Sequence, residues 1–225
     1  MELYEVMRTA FSARDFTGGP VPEDVLHRIL DHARFAPSGG NRQGWHVISV
    51  REQETRAALI PLIATAFRRY LAQQQAGESP WNTIDATNVT PADVEAVKIP
   101  EGSVERLVFA PTLLFVCVDL RVVASMDSEL DRVGIISGAS IYPFAWNILT
   151  AARNEGYGGT LTTFIAAEEP ALQKLLGVPE HVAFAAMIPM GKPVKQLTKL
   201  RRKPVEEFAV YDRWGGAPIG GSIAR

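Results

Sequence analysis

An unbroken apolar run at residues 107–118 constrains the fold of this chain more than any other feature of its sequence. The run lies between Arg106 and Asp119 and is too short for a membrane-spanning helix, which needs ~20 apolar residues. Its second part, residues 112–118, is continuous and rich in residues that favour strands. Such a segment is typical of a strand that is covered on both faces. We therefore predict a buried strand here, with other elements packed against both of its sides.

The spacing of apolar residues elsewhere predicts helices around such strands, and hence an α+β fold. The longest helix is expected over residues 131–155, where Tyr142 and Trp146 belong to an apolar surface that runs nearly all round. A helix of this kind is central to the domain or packed into a subunit interface. Further helices are expected over residues 2–11, 22–36, 52–75 and 169–176, and further strands over residues 45–50, 158–163 (after a turn) and 181–189.

Length, charge and cysteine content exclude several classes of protein. The 225 residues fit one large domain, residues 1–225, and the net charge of −2 gives no general attraction to nucleic acid or anionic lipid. Cys117 is the only cysteine, which excludes an intrachain disulfide and fits a reducing compartment. The first residues include Glu2 and Glu5 and lack the apolar core of a secretory signal. We expect a soluble cytoplasmic protein with no membrane or nucleic-acid partner.

The motifs of several common chemistries are missing. His27 and His32 are five residues apart, so they do not share a helix face as the zinc ligands of an HExxH helix do. Gly134, Ser137 and Gly138 form a GxxSG pattern, which differs in spacing from a nucleophile elbow. The sequence also lacks a P-loop and a GxGxxG segment after a strand. We therefore predict no metal site and name no catalytic acid, base or nucleophile.

Three polar clusters at the ends of predicted elements could form one site for an anionic cofactor. Fork-shaped arginine donors and a hydroxyl suit a phosphate, and glycines allow a backbone to approach a planar ring. Each cluster alone is equally compatible with solvated surface charge or a simple turn. The clusters are Arg8, Ser12 and Arg14, then residues 37–43, then residues 201–203.

The order of these segments and their amino-acid sequences resemble those of the nitroreductase family of FMN-dependent oxidoreductases. The most specific part is the loop APSGGNRQGW at residues 36–45, together with RKPVEE at residues 202–207. The resemblance covers nearly the whole chain, and its other parts are residues 8–16, 21–26, 154–160 and 188–193.

The family resemblance implies a mixed α+β sandwich that forms an intertwined homodimer, with FMN at the subunit interface. Arg8 or Ser12, with Arg202, would hold the FMN phosphate, and Arg14 would lie near the pyrimidine side of the ring. From the same chain, the residues along the ring would be Leu161, Thr162 and Thr163. From the other subunit, the residues that approach the flavin would be Pro37, Ser38, Gly39 and Asn41.

The chain departs from the family pattern at three places. Many members carry two consecutive arginines just before the serine, where this chain has Ala10 and Phe11. The proline that usually follows the glutamine is Gly44 here, which we expect to loosen the loop. The third place is Leu200, at a position that is basic in some members. The first departure leaves open whether Arg8 replaces the missing arginines at the phosphate.

The resemblance implies an enzyme that uses NADH or NADPH to reduce a nitroaromatic, quinone or similar acceptor by a ping-pong reaction. The alternatives are a specialised member, such as a reductive dehalogenase, a flavin-consuming enzyme or a natural-product dehydrogenase, and a non-catalytic flavin-binding protein. An irregular stretch around Trp81 predicts a lid insertion at about residues 68–110. The glycine-rich end predicts a C-terminal arm at about residues 209–225 that embraces the partner subunit.

Overall fold

A five-stranded sheet forms the centre of the domain. The computed structural model describes residues 1–221, so the last four residues of the predicted C-terminal arm lie outside the described part. The strands are β1 (Phe16–Thr17), β2 (Trp45–Ser49), β3 (Thr112–Asp119), β4 (Gly158–Gly159) and β5 (Val182–Pro193). They run in the order β1-β5-β3-β2, with β4 paired to β5, and every ladder is antiparallel. An isolated parallel bridge joins Ser12 to Gly159.

Helices pack on both faces of this sheet, which confirms the α+β class predicted from the sequence. Short 3-10 turns connect several of them, among them Ile136–Ser140 and Phe164–Glu168. Within the described part, the α-helices are α1 (Leu3–Thr9), α2 (Glu23–Ala33), α3 (Gln53–Gln75), α4 (Pro91–Ala96), α5 (Glu105–Val108), α6 (Tyr142–Asn154) and α7 (Glu169–Leu176).

The side chains of β3 alternate between two hydrophobic cores, because successive residues of a strand point to opposite faces. All eight residues of β3 are buried, as the apolar run predicts. Val116 belongs to the core shared with α2 and α6, where it joins Ile29 and Ile148. Phe115 belongs to the core on the other face, which includes Leu59 of α3 and Leu172 of α7. Strand β3 therefore ties the two halves of the domain together.

The predicted long helix over residues 131–155 is wrong in its first half. Helix α6 begins only at Tyr142, and α3 is the longest helix. Pro143 lies in the first turn of α6, where its missing N–H is harmless, whereas inside a longer helix it would break a hydrogen bond. Before α6, the Asp127 carboxylate accepts the backbone N–H groups of Ile135 and Ile136 at 2.8 and 3.3 Å. These bonds stabilise a turn in place of a helix.

The segment predicted as a lid is only partly peripheral, because Val108 within it is fully buried in the hydrophobic core that includes α3. Residues 68–110 include the end of α3, all of α4 and α5, and the turns between them. The tail folds back on itself through a bridge between Val210 and Pro218, and the side chain of Trp214 is fully exposed. No helix in the described part of the chain is long and apolar enough to cross a membrane.

Candidate functional site

A long groove crosses the surface beside β4 and consists of three adjoining cavities. The wide end has a volume of about 640 Å³ and lies between Arg14, Trp81 and residues 160–164. The neck, of about 110 Å³, is lined by Ser12 and Arg202 among others. The basic end, of about 600 Å³, again includes Arg202. Leu161 lines both the wide end and the neck, and Arg202 lines both the neck and the basic end, so the three cavities adjoin in series and are together called the groove.

The floor of the groove is a strand-like segment pressed against β5. The N–H of Thr160 donates to the carbonyl of Pro189 at 3.2 Å, and Thr162 exchanges two backbone hydrogen bonds with Met187 at 3.0 and 2.9 Å. A Cβ atom on Gly159 would stand 2.8 Å from the Pro189 carbonyl oxygen, closer than real contacts allow. Glycine therefore allows the floor to approach β5 closely.

The side chain of Thr160 has no protein partner. This residue is 1% exposed and lines the wide end. Its Oγ1 is the one buried side-chain nitrogen or oxygen in residues 1–221 that makes no hydrogen bond. Leaving such a hydroxyl unpaired costs about 1–3 kcal/mol, which a polar ligand atom at this position would offset. The sequence predicted Leu161, Thr162 and Thr163 as site residues but missed Thr160, since nothing in the sequence shows that its hydroxyl lacks a partner.

Three of the predicted phosphate-binding residues meet at the neck and the basic end. Ser12 and Arg202 line the neck, and Arg8 shares the basic end with Arg202. The apolar Ala10 and Phe11, which depart from the expected family pattern, also line the neck. The structure thus brings the N-terminal and C-terminal clusters of the sequence together.

Arg153 supplies a second cation at the neck, which sequence reasoning missed. Its Nε donates to Thr9 Oγ1 at 2.9 Å, which holds the guanidinium beside the cavity. A cation in the last turn of a helix is ordinarily explained by the helix dipole. The available signal was its position directly before residues 154–160, one of the segments that carry the family resemblance.

Aromatic rings and one cation surround the wide end. Tyr70 and Phe164 meet edge to face with their centroids 5.1 Å apart, and both line the cavity together with Trp81. Arg14 also lines it, and its Nη1 donates to the carbonyl of Ser12 at 3.2 Å. No aspartate or glutamate is found among the described residues that line any of the three cavities. The groove therefore favours neutral or anionic ligands.

The loop at residues 37–43 is well ordered by hydrogen bonds but does not line the groove of its own chain. The N–H of Gly39 donates to Ser140 Oγ at 3.1 Å, and the N–H of Gln43 donates to Ser38 Oγ at 3.0 Å. The predicted site residues Pro37, Ser38, Gly39 and Asn41 are therefore not brought to the groove within one chain.

Gly44 does not loosen this loop, contrary to the expectation from the sequence. It is buried, and its carbonyl accepts the N–H of Asp119 at 2.8 Å. A Cβ at this position would stand 2.5 Å from the side chain of Val122. The glycine therefore allows a close approach that fixes the end of the loop.

No potential metal centre accompanies the groove. Residues 1–221 hold no group of three or more His, Cys, Asp or Glu side chains that could bind a metal ion. The groove instead presents guanidinium groups, hydroxyls and backbone amides, which are donors for an anionic or carbonyl-rich ligand.

The fold and the groove define an α+β domain with an open, cation-lined cleft beside its central sheet. The family model described as the Nitroreductase family matches residues 7–192. The chain belongs to the nitroreductase family.

Individual relatives agree with this membership. An NADH dehydrogenase from Thermus thermophilus is 27% identical over 202 residues, which cover 89% of this chain and 91% of the relative. A BluB-like flavoprotein from Clostridium difficile 630 is 18% identical, with a TM-score of 0.69 over 95% of this chain and all of that one. An iodotyrosine deiodinase solved with FMN and 3-iodo-L-tyrosine is 18% identical, with a TM-score of 0.66 over 94% of this chain and all of that one. The two structures confirm the fold.

Proposed function

We propose that this chain is an FMN-dependent oxidoreductase that uses NADH or NADPH to reduce nitroaromatic, quinone or similar acceptors in a ping-pong reaction. The observation that carries the proposal is the groove itself, which has Arg14 and the unpaired hydroxyl of Thr160 at its wide end and Arg202 at its neck. Family membership and the FMN bound in the deiodinase neighbour support the same cofactor.

The residues of the groove fit the parts of FMN. Arg202, Arg153 and Ser12 at the neck would hold the phosphate through charge-assisted hydrogen bonds, with Arg8 beside them. The floor at residues 160–163 suits a planar ring, and Thr160 Oγ1 would gain a polar partner there. Because the described lining residues include no carboxylate, no negative side chain lining the groove would repel the phosphate.

The protein would bind, orient and tune the cofactor, and it would supply no acid or base of its own. Bound FMN supplies two-electron transfer between a nicotinamide and an acceptor. Arg14, a fixed cation at the wide end, would stabilise negative charge on the reduced ring. The aromatic residues Tyr70, Trp81 and Phe164 would exclude water and shape the place where nicotinamide and acceptor bind in turn.

The site would be completed by a second copy of the chain. The loop at residues 37–43 does not reach its own groove, so its predicted flavin contacts require a partner subunit. Tyr142 and Trp146 of α6 remain 44% and 45% exposed, and Trp214 of the tail is fully exposed. Tyr142 and Trp146 are four positions apart on α6 and so lie on one face of it, and contiguous exposed apolar surface marks interaction sites. We infer a homodimer in which α6 and the arm at residues 209–225 contact the partner.

Reductive dehalogenation is the second candidate function, because the deiodinase neighbour binds 3-iodo-L-tyrosine in the same fold. For dehalogenation, residues 68–110 would close over an aromatic amino acid bound at the wide end.

Steady-state assays separate the two functions. The purified protein, supplied with FMN, should oxidise NADH or NADPH in the presence of menadione or nitrofurazone. Turnover of 3-iodo-L-tyrosine with dithionite as reductant, and no oxidation of either nicotinamide, would favour dehalogenation. Tight FMN binding without any turnover would leave a flavin-binding protein.

A further inference from the structure

The loop at residues 76–90 forms the outer wall of the wide end through Trp81. We propose that Glu78 is a positioning residue, which fixes Trp81 through Gln73, and that Trp81 thereby determines which acceptors fit. The second half of this proposal rests on the proposed function, since it concerns acceptors of the same groove.

The Glu78 carboxylate holds the loop together from inside. Its Oε2 accepts the hydroxyl of Thr87 at 2.6 Å and the Nε2 of Gln73 at 3.4 Å. Its Oε1 accepts the backbone N–H of Asn88 at 2.7 Å. These donors hold the pKa of Glu78 below its usual value, with Thr87 the largest cause, so the group is ionised at neutral pH. One side chain therefore connects the end of α3 to both ends of the loop.

Gln73 passes this constraint on to Trp81. The residue is only 3% exposed, and its Oε1 accepts the backbone N–H of Trp81 at 3.2 Å. An ionised carboxylate only accepts hydrogen bonds, so the amide NH₂ of Gln73 must face Glu78. The amide oxygen then necessarily faces Trp81. The charge on Glu78 and the N–H of Trp81 therefore favour the same orientation of Gln73, which links the carboxylate to the tryptophan backbone.

Trp81 needs such support because its backbone conformation is unfavourable. Its φ of 58° lies in the left-handed region, which few residues other than glycine adopt without strain. The ring is held as well, with the guanidinium of Arg69 lying 4.2 Å from its centroid. Because Trp81 is held at both its backbone and its ring, we expect it to set the width of the wide end before any acceptor enters.

A fixed wall predicts discrimination between acceptors by size. Tyr70 and Phe164 already border the same cavity, so displacement of Trp81 widens one side of it. Bulky planar acceptors would benefit, while small ones would lose a contact. Changes of pocket fit on this scale are worth about tenfold in relative kcat/KM.

The test compares Glu78→Gln with Glu101→Gln. Glu101 lies at an exposed turn within residues 68–110, outside the loop at residues 76–90, so the second variant is a matched control. Glutamine keeps the size of the Glu78 side chain but replaces one accepting oxygen with an NH₂ group. That group cannot accept a hydrogen bond from Thr87, Asn88 or Gln73. The first measurement is backbone amide hydrogen exchange without cofactor. The second is kcat/KM for two uncharged acceptors of different size, 1,4-benzoquinone and 9,10-phenanthrenequinone, with FMN and NADH or NADPH. Trp81→Ala serves as the second variant.

We expect Glu78→Gln to speed exchange at the amides of Trp81 and Asn88 and to shift the ratio of the two kcat/KM values about tenfold toward the bulkier quinone. Trp81→Ala should shift the ratio similarly, and Glu101→Gln should change neither quantity. The proposal is overturned if Glu78→Gln matches Glu101→Gln in either measurement. If wild-type protein reduces neither quinone, the proposed function fails separately, and hydrogen exchange alone decides whether Glu78 positions Trp81.

Discussion

Arg14 lines the wide end of the groove and Arg202 lines its neck and its basic end, although 188 positions separate the two residues in the sequence. Arg14 follows the segment that bridges to Gly159, whereas Arg202 lies in the chain that returns after β5. The shared lining residue Leu161 joins the cavities in which the two arginines lie. This arrangement places one cation where a planar ring would lie and the other where a phosphate would lie.

Thr160→Val tests the unpaired hydroxyl of the groove floor. Valine keeps the shape of the side chain and removes an unsatisfied polar atom, so the protein without cofactor should be equally stable or more stable in urea. Its dissociation constant for FMN should rise about tenfold, because the polar contact is lost. Thr17→Val, at an exposed position on β1, is the control and should change neither quantity. Unchanged FMN affinity in Thr160→Val would show that the hydroxyl faces no part of the cofactor.

Arg202→Ala tests the phosphate end. Loss of a charge-assisted hydrogen bond should weaken FMN binding by about ten- to a hundredfold. Riboflavin, which has no phosphate, should bind wild type and variant equally. Arg201→Ala is a matched control, because Arg201 carries the same charge next to Arg202 but does not line the groove. Equal losses for FMN and riboflavin, measured by fluorescence titration, would contradict the assignment.

Gly159→Ala tests whether the floor must lie against β5. The new methyl group would stand 2.8 Å from the Pro189 carbonyl oxygen and 3.1 Å from Leu149, so the segment must move. We expect a loss of about 1–3 kcal/mol in the free energy of unfolding, as for overpacked cores. Gly19→Ala has open space around the new methyl group and should leave urea unfolding nearly unchanged. Equal midpoints for the two variants would show that the floor tolerates a side chain.

Asp127 should make stability depend on pH in the acid range. Hydrogen bonds from the N–H of Ile135, and further from Arg132 and Ile136, lower the pKa of Asp127 to about 2 from its usual 3.8. A carboxyl whose pKa is lower in the folded state stabilises the fold fully above about pH 4 and loses that contribution as the pH falls toward 2. Asp127→Asn should therefore be less stable than wild type at pH 7 and show a flatter decline below pH 4.

Asp131→Asn, at an exposed position of the same segment, is the control for that experiment. Its urea midpoints between pH 7 and pH 3 should follow those of wild type. A wild-type decline that Asp127→Asn leaves unchanged would assign the acid sensitivity to other carboxyl groups.

The thiol of Cys117 should be inert in the folded protein. Burial in β3, with a smaller contribution from the charge of Glu169, raises its pKa to about 12. The reactive thiolate is therefore scarce at pH 8. Ellman's reagent should label the native protein far more slowly than the protein in guanidinium chloride, where the single cysteine reacts fully. Rapid labelling of the native protein would show that β3 is accessible to solvent.

The sequence predicts those elements whose pattern is local. The apolar run predicts strand β3. Gly177 predicts the end of α7, and it adopts the left-handed conformation there. The apolar pattern over residues 131–155 predicts too long a helix because the pattern continues through a turn. Periodicity alone does not show that the Asp127 carboxylate accepts the N–H groups of Ile135 and Ile136.

In the candidate site, too, residues within local motifs are predictable from the sequence, whereas roles that depend on contacts between distant segments are not. Arg8, Ser12, Arg14 and Arg202 were predicted from short motifs, and the structure places them along one groove. Thr160 becomes notable only after its segment pairs with β5 and leaves its hydroxyl without a partner. The roles of Arg153 and Glu78 likewise depend on contacts between distant segments, which spacing along the chain does not reveal.

The visible absorption spectrum tests the central claim most directly. Purified protein is mixed with FMN and freed of unbound flavin, and NADH or NADPH is then added without oxygen. We predict a flavin spectrum that remains with the protein at one FMN per chain and bleaches with at least one of the two nicotinamides. A protein that retains no flavin after addition of FMN, or a bound flavin that neither nicotinamide bleaches, would contradict the account.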